Sequence, residues 1–241
     1  MPPSLTSLDQ LRQEIDGIDD QLHDLLMRRA ALVGDIRAAK PAGKSTVRPA
    51  REHAILKRLM ERHRGDLPRR TVLAIWREIM DGFSSLQGAG SVIGPARLET
   101  LAVRHFGSAM EYVADDDPAS MLARVSSGKA AWGILPWPGE KESWWVEIAG
   151  LKDRPSIVCT LPYLMPPQAV AFAMVDPEPT GDDCSLVVVK ARGEVPFAKI
   201  KPVAAAGSHR LIEVPRYIAP DDPKVTETSG VVLLGSYPRP S

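Results

Sequence analysis

Three cations and one amide interrupt apolar stripes in the first ninety residues. Between Leu8 and Ile36 the apolar residues Leu8, Leu11, Ile15, Ile18, Leu22, Leu25, Leu32 and Ile36 recur at steps of three, four and seven, the spacing of one helical face. Arg29 fills the seven-residue gap between Leu25 and Leu32, and Arg12 borders the stripe between Leu8 and Ile15. Lys40 stands eleven residues beyond Arg29. At ~100° per residue the two point the same way, about 16 Å apart. Gln87 follows Phe83 by four residues and extends the apolar stripe of a later helix. Burying such cations without partners costs several kcal/mol per charge. Either Asp and Glu side chains meet them, the arginines snorkel to the surface, or an anionic ligand binds them. For the whole set taken together with an amide donor, an anionic ligand is the expectation.

The elements that must hold these residues are helices. The first runs from Leu8 to Lys40, with Ser7 and Gln10 spaced as a capping box and Pro41-Ala42-Gly43 as its stop. Its length of about 50 Å at ~1.5 Å per residue exceeds what two short helices of the same chain cover. A second helix spans Pro49 to His63 with Ile55, Leu56, Leu59 and Met60 inward, and a third starts near Pro68 after the cap candidate Asp66. The third helix presents Val72, Ile75, Trp76, Ile79, Met80, Phe83 and Leu86 as its stripe. One long helix and two shorter ones point to an intertwined dimer in which the long helices cover each other.

Composition narrows the class of protein. The 241 residues carry 30 Lys plus Arg and 30 Asp plus Glu, so no global field draws the chain to nucleic acid or to an anionic membrane. No apolar run reaches the ~18–20 residues of a membrane helix, and the N-terminus lacks the apolar core of a secretory signal. The expected location is therefore cytoplasmic. Two cysteines, Cys159 and Cys184, form neither a disulfide framework nor a CxxC site, and the five histidines lack metal-ligand spacing. Only 5 of the 22 prolines fall in the first ninety residues, so a helical segment precedes one rich in strands and loops. Gly88-Ala89-Gly90-Ser91 reads as the seam.

These motifs carry a family resemblance. LRQEIDGIDDQLHDLLMRRAALVGDIRAAK, then VRPAREHAIL, then IWREIMDGFSSLQ resembles the all-helical class of chorismate mutases over residues 5–90. The resemblance implies a homodimer that converts chorismate to prephenate in aromatic amino-acid biosynthesis, with chorismate as its ligand and no cofactor or metal. It also implies roles. Arg12, contributed by the partner subunit, and Arg29 clamp carboxylates, Lys40 and Gln87 address the ether oxygen, and Glu52 takes the ring hydroxyl with Arg51 beside it. Arg48 and Phe83 border the substrate. Two positions depart from the family pattern. Arg48-Pro49-Ala50 replaces a stretch that often holds an acidic residue, and Phe83 stands where a small polar residue is frequent.

The remaining segment reads as alternating helix and strand. Leu98–Phe106 and Pro118–Val125 are helix candidates, and Ala130–Leu135, Ser156–Thr160, Ala169–Val175 and Ser185–Lys190 are strand candidates. IGPARLETLAVRHFG and VSSGKAAWGILPWP resemble parts of a prephenate dehydratase domain. Val170-Ala171-Phe172 stands where that family carries a catalytic Thr-Arg-Phe, so the resemblance implies a degenerate unit without dehydratase activity. The last fifty residues read as a β-rich remnant of a regulatory domain. Trp132, Trp137, Trp144 and Trp145 serve either core packing or a pocket wall. The expected architecture is thus an α+β multidomain chain: a three-helix mutase domain over residues 1–90 and a smaller α/β domain over 91–241. The competing function is a non-catalytic or weakly catalytic mutase-fold protein that binds a small dicarboxylate or regulates a pathway partner.

Overall fold

The apolar spacing of the N-terminal segment produces an unbroken helix, α1 (Leu8–Ala39). Its start is the expected capping box: Ser7 N–H donates to Gln10 Oε1 at 2.8 Å, and Gln10 N–H donates to Ser7 Oγ at 3.2 Å. The computed structural model describes residues 7–39, 47–86, 90–139, 142–163, 165–190, 196–197 and 199–240. Lys40 and Gln87 lie outside them. The α1 stripe is uncovered, from Leu8, 63% exposed, to Ile36, 55% exposed.

Helix α2 (Pro49–Arg62) opens on proline in its first turn, where the missing N–H has no helical partner to lose. Leu56 and Met60 are its buried residues, and Ile55 and Leu59 are half-buried beside them. In α3 (Arg69–Leu86) the Pro68 carbonyl accepts from the Thr71 and Val72 amides. Its inward face differs from the expected stripe. Ile75 is 44% exposed, whereas Arg77 and Asp81 are buried with Val72 and Met80. The face has turned because both polar groups find partners inside.

The rest of the chain builds a nine-stranded mixed sheet. Strand β1 (Val92–Gly94) leads through a 3-10 turn, Ala96–Leu98, into α4 (Glu99–Phe106) and β2 (Tyr112–Ala114). Then follow α5 (Pro118–Ser126), β3 (Trp132–Pro136), α6 (Trp144–Gly150), β4 (Ser156–Leu161) and β5 (Ala169–Ala173). The C-terminal part supplies β6 (Asp183–Lys190), β7 (Ala204–Ala206), β8 (His209–Val214), α7 (Pro223–Thr226) and β9 (Val231–Pro238). The order is β2-β1-β3-β5-β4-β9-β6-β8-β7. Strand β1 runs parallel to β2 and β3, and β9 runs parallel to β4 but antiparallel to β6. The last fifty residues are therefore not a separate remnant: β9 lies inside the sheet and joins its two halves.

Apolar side chains fill both faces. Met121, Leu122 and Val125 of α5 and Trp144, Trp145 and Ile148 of α6 pack with Ile93, Val170, Phe172 and Leu186. Trp144 Nε1 donates to the Pro136 carbonyl and Trp145 Nε1 to that of Glu142, so these two indoles are core residues with satisfied donors. Leu98, Ala102 and Phe106 pack with Trp132, Ile134, Val158 and Leu161 in another cluster.

The described chain divides into two compact units, residues 1–44 and 45–241. Helices α2 and α3 belong to the second, where α3 meets α4 and α2 meets β4 and β9. The boundary suggested by composition, at 90, follows proline content rather than contacts. Among the described residues no helix is long and apolar enough to cross a membrane.

Gly235 of β9 stands opposite Ile157 in the parallel pairing with β4. Its φ is +149°, and a Cβ there would run into the Ile157 backbone. The adjacent β6–β9 register shifts between Leu186 and Val187, as at a bulge. Gly235→Ala should lower stability by about 1–3 kcal/mol. Urea titration checks this, and an unchanged midpoint with unchanged slope would reject it.

Candidate functional site

Helix α2 sets the site by its first turn. Glu52, Leu56 and Met60 recur at four-residue steps and share the inward face, whereas Arg51, one residue earlier, is exposed. Glu52 is thereby carried to the edge of the core. Arg77 of α3 reaches it: Arg77 Nη1 donates to Glu52 Oε2 at 3.1 Å, with the Arg77 side chain only 8% exposed. Burial pushes the Glu52 carboxyl above its ordinary range, Arg77 opposes that shift and Asp81 adds to it.

The guanidinium has a second contact. Arg77 Cζ lies 5.3 Å from the centroid of the Tyr163 ring, within cation–π range. Tyr163, just beyond β4, places its Oη 3.1 Å from His53 Nδ1, and the two rings meet edge to face at 5.4 Å. His53 follows Glu52 on α2. These residues line a cleft open to solvent, together with His105, Trp132, Cys159 and Thr160. A second recess shares Glu52, Arg77 and Trp132 with the cleft and is lined further by Asp81, Ser84 and Phe106.

Asp81 anchors that second recess. Its Oδ2 accepts from the Ala109 amide at 2.7 Å, and its Oδ1 is buried without a hydrogen-bond partner. Gly107, at φ +113°, lets the carboxyl approach this closely, since a Cβ there would strike the Asp81 side chain. Burial raises the Asp81 carboxyl above its usual range, and the Ala109 amide counteracts this.

Cys159 and His105 meet in the cleft, Sγ to Nε2 at 3.7 Å. They are not an activated nucleophile and base. Burial pushes the Cys159 thiol up to about 12, far from the thiolate that nucleophilic attack requires. Burial, with Arg77 nearby, holds His105 well below the ordinary imidazole value. Among the described residues no group of three His, Cys, Asp or Glu side chains could hold a metal ion.

The residues singled out in the sequence are distributed unevenly. Glu52 stands in the cleft wall. Arg48 precedes α2 and faces Glu178, Nη2 to Oε1 at 3.7 Å. Phe83 on α3 is half-buried. Arg12 on α1 is exposed and pairs with Asp9 at 3.3 Å, and Arg29 on the same helix is half-buried. Arg51 and Glu52 were grouped in the sequence, but helix geometry separates them, one to solvent and one inward. Arg77, Asp81 and Tyr163 were not anticipated. The available signal was the four-residue step from Arg77 to Asp81 beside Val72 and Met80, a polar line at helical spacing within an apolar face.

Buried His105 makes stability depend on pH. Its folded value lies below the ordinary 6.5, so on acidification the unfolded chain takes the proton first and stability falls as pH drops below about 6.5. The slope reaches at most ~1.4 kcal/mol per pH unit for one such group. Glu52, with its raised value, acts in the opposite sense. Urea midpoints at pH 7.5 and 5.5 should therefore differ more in wild type than in His105→Gln. Equal differences in the two proteins would show that His105 accepts its proton in the folded state.

Comparison with known proteins places the helical segment. Residues 11–88 match a family model described as chorismate mutase type II. A bifunctional chorismate mutase/prephenate dehydratase of Pseudomonas aeruginosa is 30% identical over 139 residues, covering 54% of this chain and 38% of that protein. The counterpart of Neisseria gonorrhoeae is 30% identical over 129 residues, covering 52% and 35%, and that of Aquifex aeolicus is 28% identical over 141, covering 55% and 39%. The matches thus span about two fifths or less of these relatives. Among solved structures, one titled "GqqA- a novel type of quorum quenching acylases" matches at TM-score 0.42 and 14% identity, covering 61% of this chain and 95% of that one. A prephenate dehydratase from Streptococcus mutans matches at 0.41 and 11%, covering 62% and 97%. An alignment over 54% of the chain is longer than the helical segment, so similarity to the bifunctional proteins runs on into the α/β part. Residues 11–88 thus match the type II chorismate mutase family model, and the likeness to chorismate mutase/prephenate dehydratases continues into the α/β segment.

Proposed function

We propose that the chain is a chorismate mutase, an isomerase that rearranges chorismate to prephenate in aromatic amino-acid biosynthesis. The observation that carries this reading is the family match over residues 11–88, which encloses Arg12, Arg29, Lys40, Arg51, Glu52 and Gln87 in one ordered set. The reaction is unimolecular and pericyclic: the ether C–O bond breaks as a C–C bond forms, with no nucleophile, metal or redox cofactor required. The protein must hold the enolpyruvyl arm over the ring and stabilise charge growing on the ether oxygen.

In this reading Arg29 and the Arg12 of a second copy take the two carboxylates through planar forks. Lys40 and Gln87 donate to the ether oxygen, and Glu52 accepts from the ring hydroxyl. Arg48, Arg51 and Phe83 border the substrate. The dimer is supported by α1, whose stripe from Leu8 to Ile36 is uncovered in one chain; so much contiguous apolar surface calls for a covering partner. Location in the cytoplasm, with no nucleic-acid or membrane partner, accords with balanced charge.

The reaction ends at prephenate. Dehydration with decarboxylation needs a donor to assist the leaving hydroxyl, whereas Val170, Ala171 and Phe172 are apolar and buried in β5.

Loss of chorismate absorbance on adding the purified chain tests the reading, and no turnover at high enzyme concentration would reject it. Lys40→Ala should lower kcat more than it raises KM, by about a hundredfold (~3 kcal/mol), because the ether oxygen carries its charge in the transition state. Arg29→Ala should damage both parameters, since carboxylates are charged throughout. The product mixture should contain no phenylpyruvate above the spontaneous background, judged by its enol absorbance in base; enzyme-dependent phenylpyruvate would overturn this part.

A further inference from the structure

The contacts around Glu52 close into a ring. Glu52 on α2 accepts from Arg77 on α3, Arg77 lies over Tyr163 beyond β4, and Tyr163 returns to His53 on α2. A carboxylate near the protein interior needs an opposite charge to stay ionised. It also needs that charge held still, because an arginine carries several rotatable bonds and loses entropy when fixed. A guanidinium laid over an aromatic ring, itself tied back to the first helix, meets both needs. The pairing leaves Glu52 little freedom along the cleft wall. The ring is completed only by Tyr163, which lies outside residues 11–88.

We infer that Arg77 is a positioning residue for Glu52 and that Tyr163, supplied by the α/β segment, positions Arg77. The inference rests on the mutase reading, in which Glu52 takes the ring hydroxyl. It gives the α/β segment a role in that reaction without chemistry of its own: it sets the carboxylate against which the substrate ring docks. Arg77 and Tyr163 act through Glu52 and do not themselves touch substrate.

The test is steady-state turnover of chorismate by full-length variants. A hydrogen bond to a ring hydroxyl exists in both ground and transition states, so loosening Glu52 should act chiefly on KM. Arg77→Met should raise KM roughly tenfold with kcat changed less than about threefold, on the scale of one hydrogen bond to a charged group. Arg77→Lys, which keeps the charge and loses the fork, should recover part of that loss. Tyr163→Phe keeps the ring and should raise KM only a few-fold, whereas Tyr163→Ala should approach Arg77→Met. The double variant Arg77→Met, Tyr163→Ala should be no worse than Arg77→Met alone, since residues acting through one group are not additive. Far-ultraviolet circular dichroism and melting curves accompany each variant. If Arg77→Met fails to fold, Arg77→Lys and the Tyr163 pair still decide the matter. KM values indifferent to Arg77→Lys and to Tyr163→Ala in an active protein would overturn this inference alone. Additive losses in the double variant would remove Tyr163 from the chain of action. A wild-type chain that consumes no chorismate would overturn the mutase reading and this inference together.

Discussion

A guanidinium buried as deeply as that of Arg77 needs an anion within hydrogen-bond reach, and much of the second unit is arranged around this requirement. Leaving one partner of such a pair alone costs about 3–5 kcal/mol, more than most single contacts in a protein return. The anion is Glu52, so α2 and α3 are held with these two side chains opposed. Leu56, Met60, Val72 and Met80 then bury around the pair. The apolar contacts supply the energy of packing; the ion pair selects which faces of the two helices turn inward. This selection is visible in the exposure of Ile75, displaced from an otherwise regular apolar stripe.

The sheet beneath these helices depends on its last strand. Without β9, the strands β2, β1, β3, β5 and β4 would form one sheet and β6, β8 and β7 another. The antiparallel β6–β9 ladder runs from Val231 to Pro238, and Gly235 stands opposite Ile157 in the parallel pairing with β4. Such a join tolerates no side chain on the glycine. The two faces of this platform then carry different tasks: one packs α5 and α6 with their two indoles, and the other carries α4 with Phe106 and Trp132. Trp132 also lines the cleft and the recess on either side of the ion pair, so the core and the candidate site share a wall.

The chemistry available in the cleft is that of holding rather than attacking. The Cys159 thiol, raised to about 12, is not an activated nucleophile, and the Glu52 carboxyl is paired with the Arg77 guanidinium. Helix α1 contributes differently. Its apolar stripe from Leu8 to Ile36 is exposed, Arg12 pairs with Asp9 on the same helix, and Arg29 is half-buried.

Local periodicity determined the helices. The Leu8-to-Ile36 stripe, the Ser7–Gln10 capping box and the proline at the start of α2 act within one turn of backbone, and each is readable from neighbours in the chain. The strand candidates from Ala130 to Lys190 were legible for the same reason, being short apolar runs between turns. Glu52 entered through the resemblance of the helical motifs, and it stands in the cleft wall; Lys40 and Gln87 lie outside the described residues. Tertiary structure decided what periodicity does not encode. Arg77 and Asp81 occupy ordinary polar positions in a one-dimensional pattern, and only Glu52, 25 residues earlier, and the Ala109 amide, 28 residues later, make them interior. Tyr163 meets His53 across 110 residues. The place of β9 inside the sheet is likewise set by pairing with β4 and β6, because backbone hydrogen bonds between strands carry no sequence label of their own. Composition put the division of the chain at residue 90, where proline content changes. The contacts put it at 44, because α2 and α3 bury their inner faces within the same unit as the sheet.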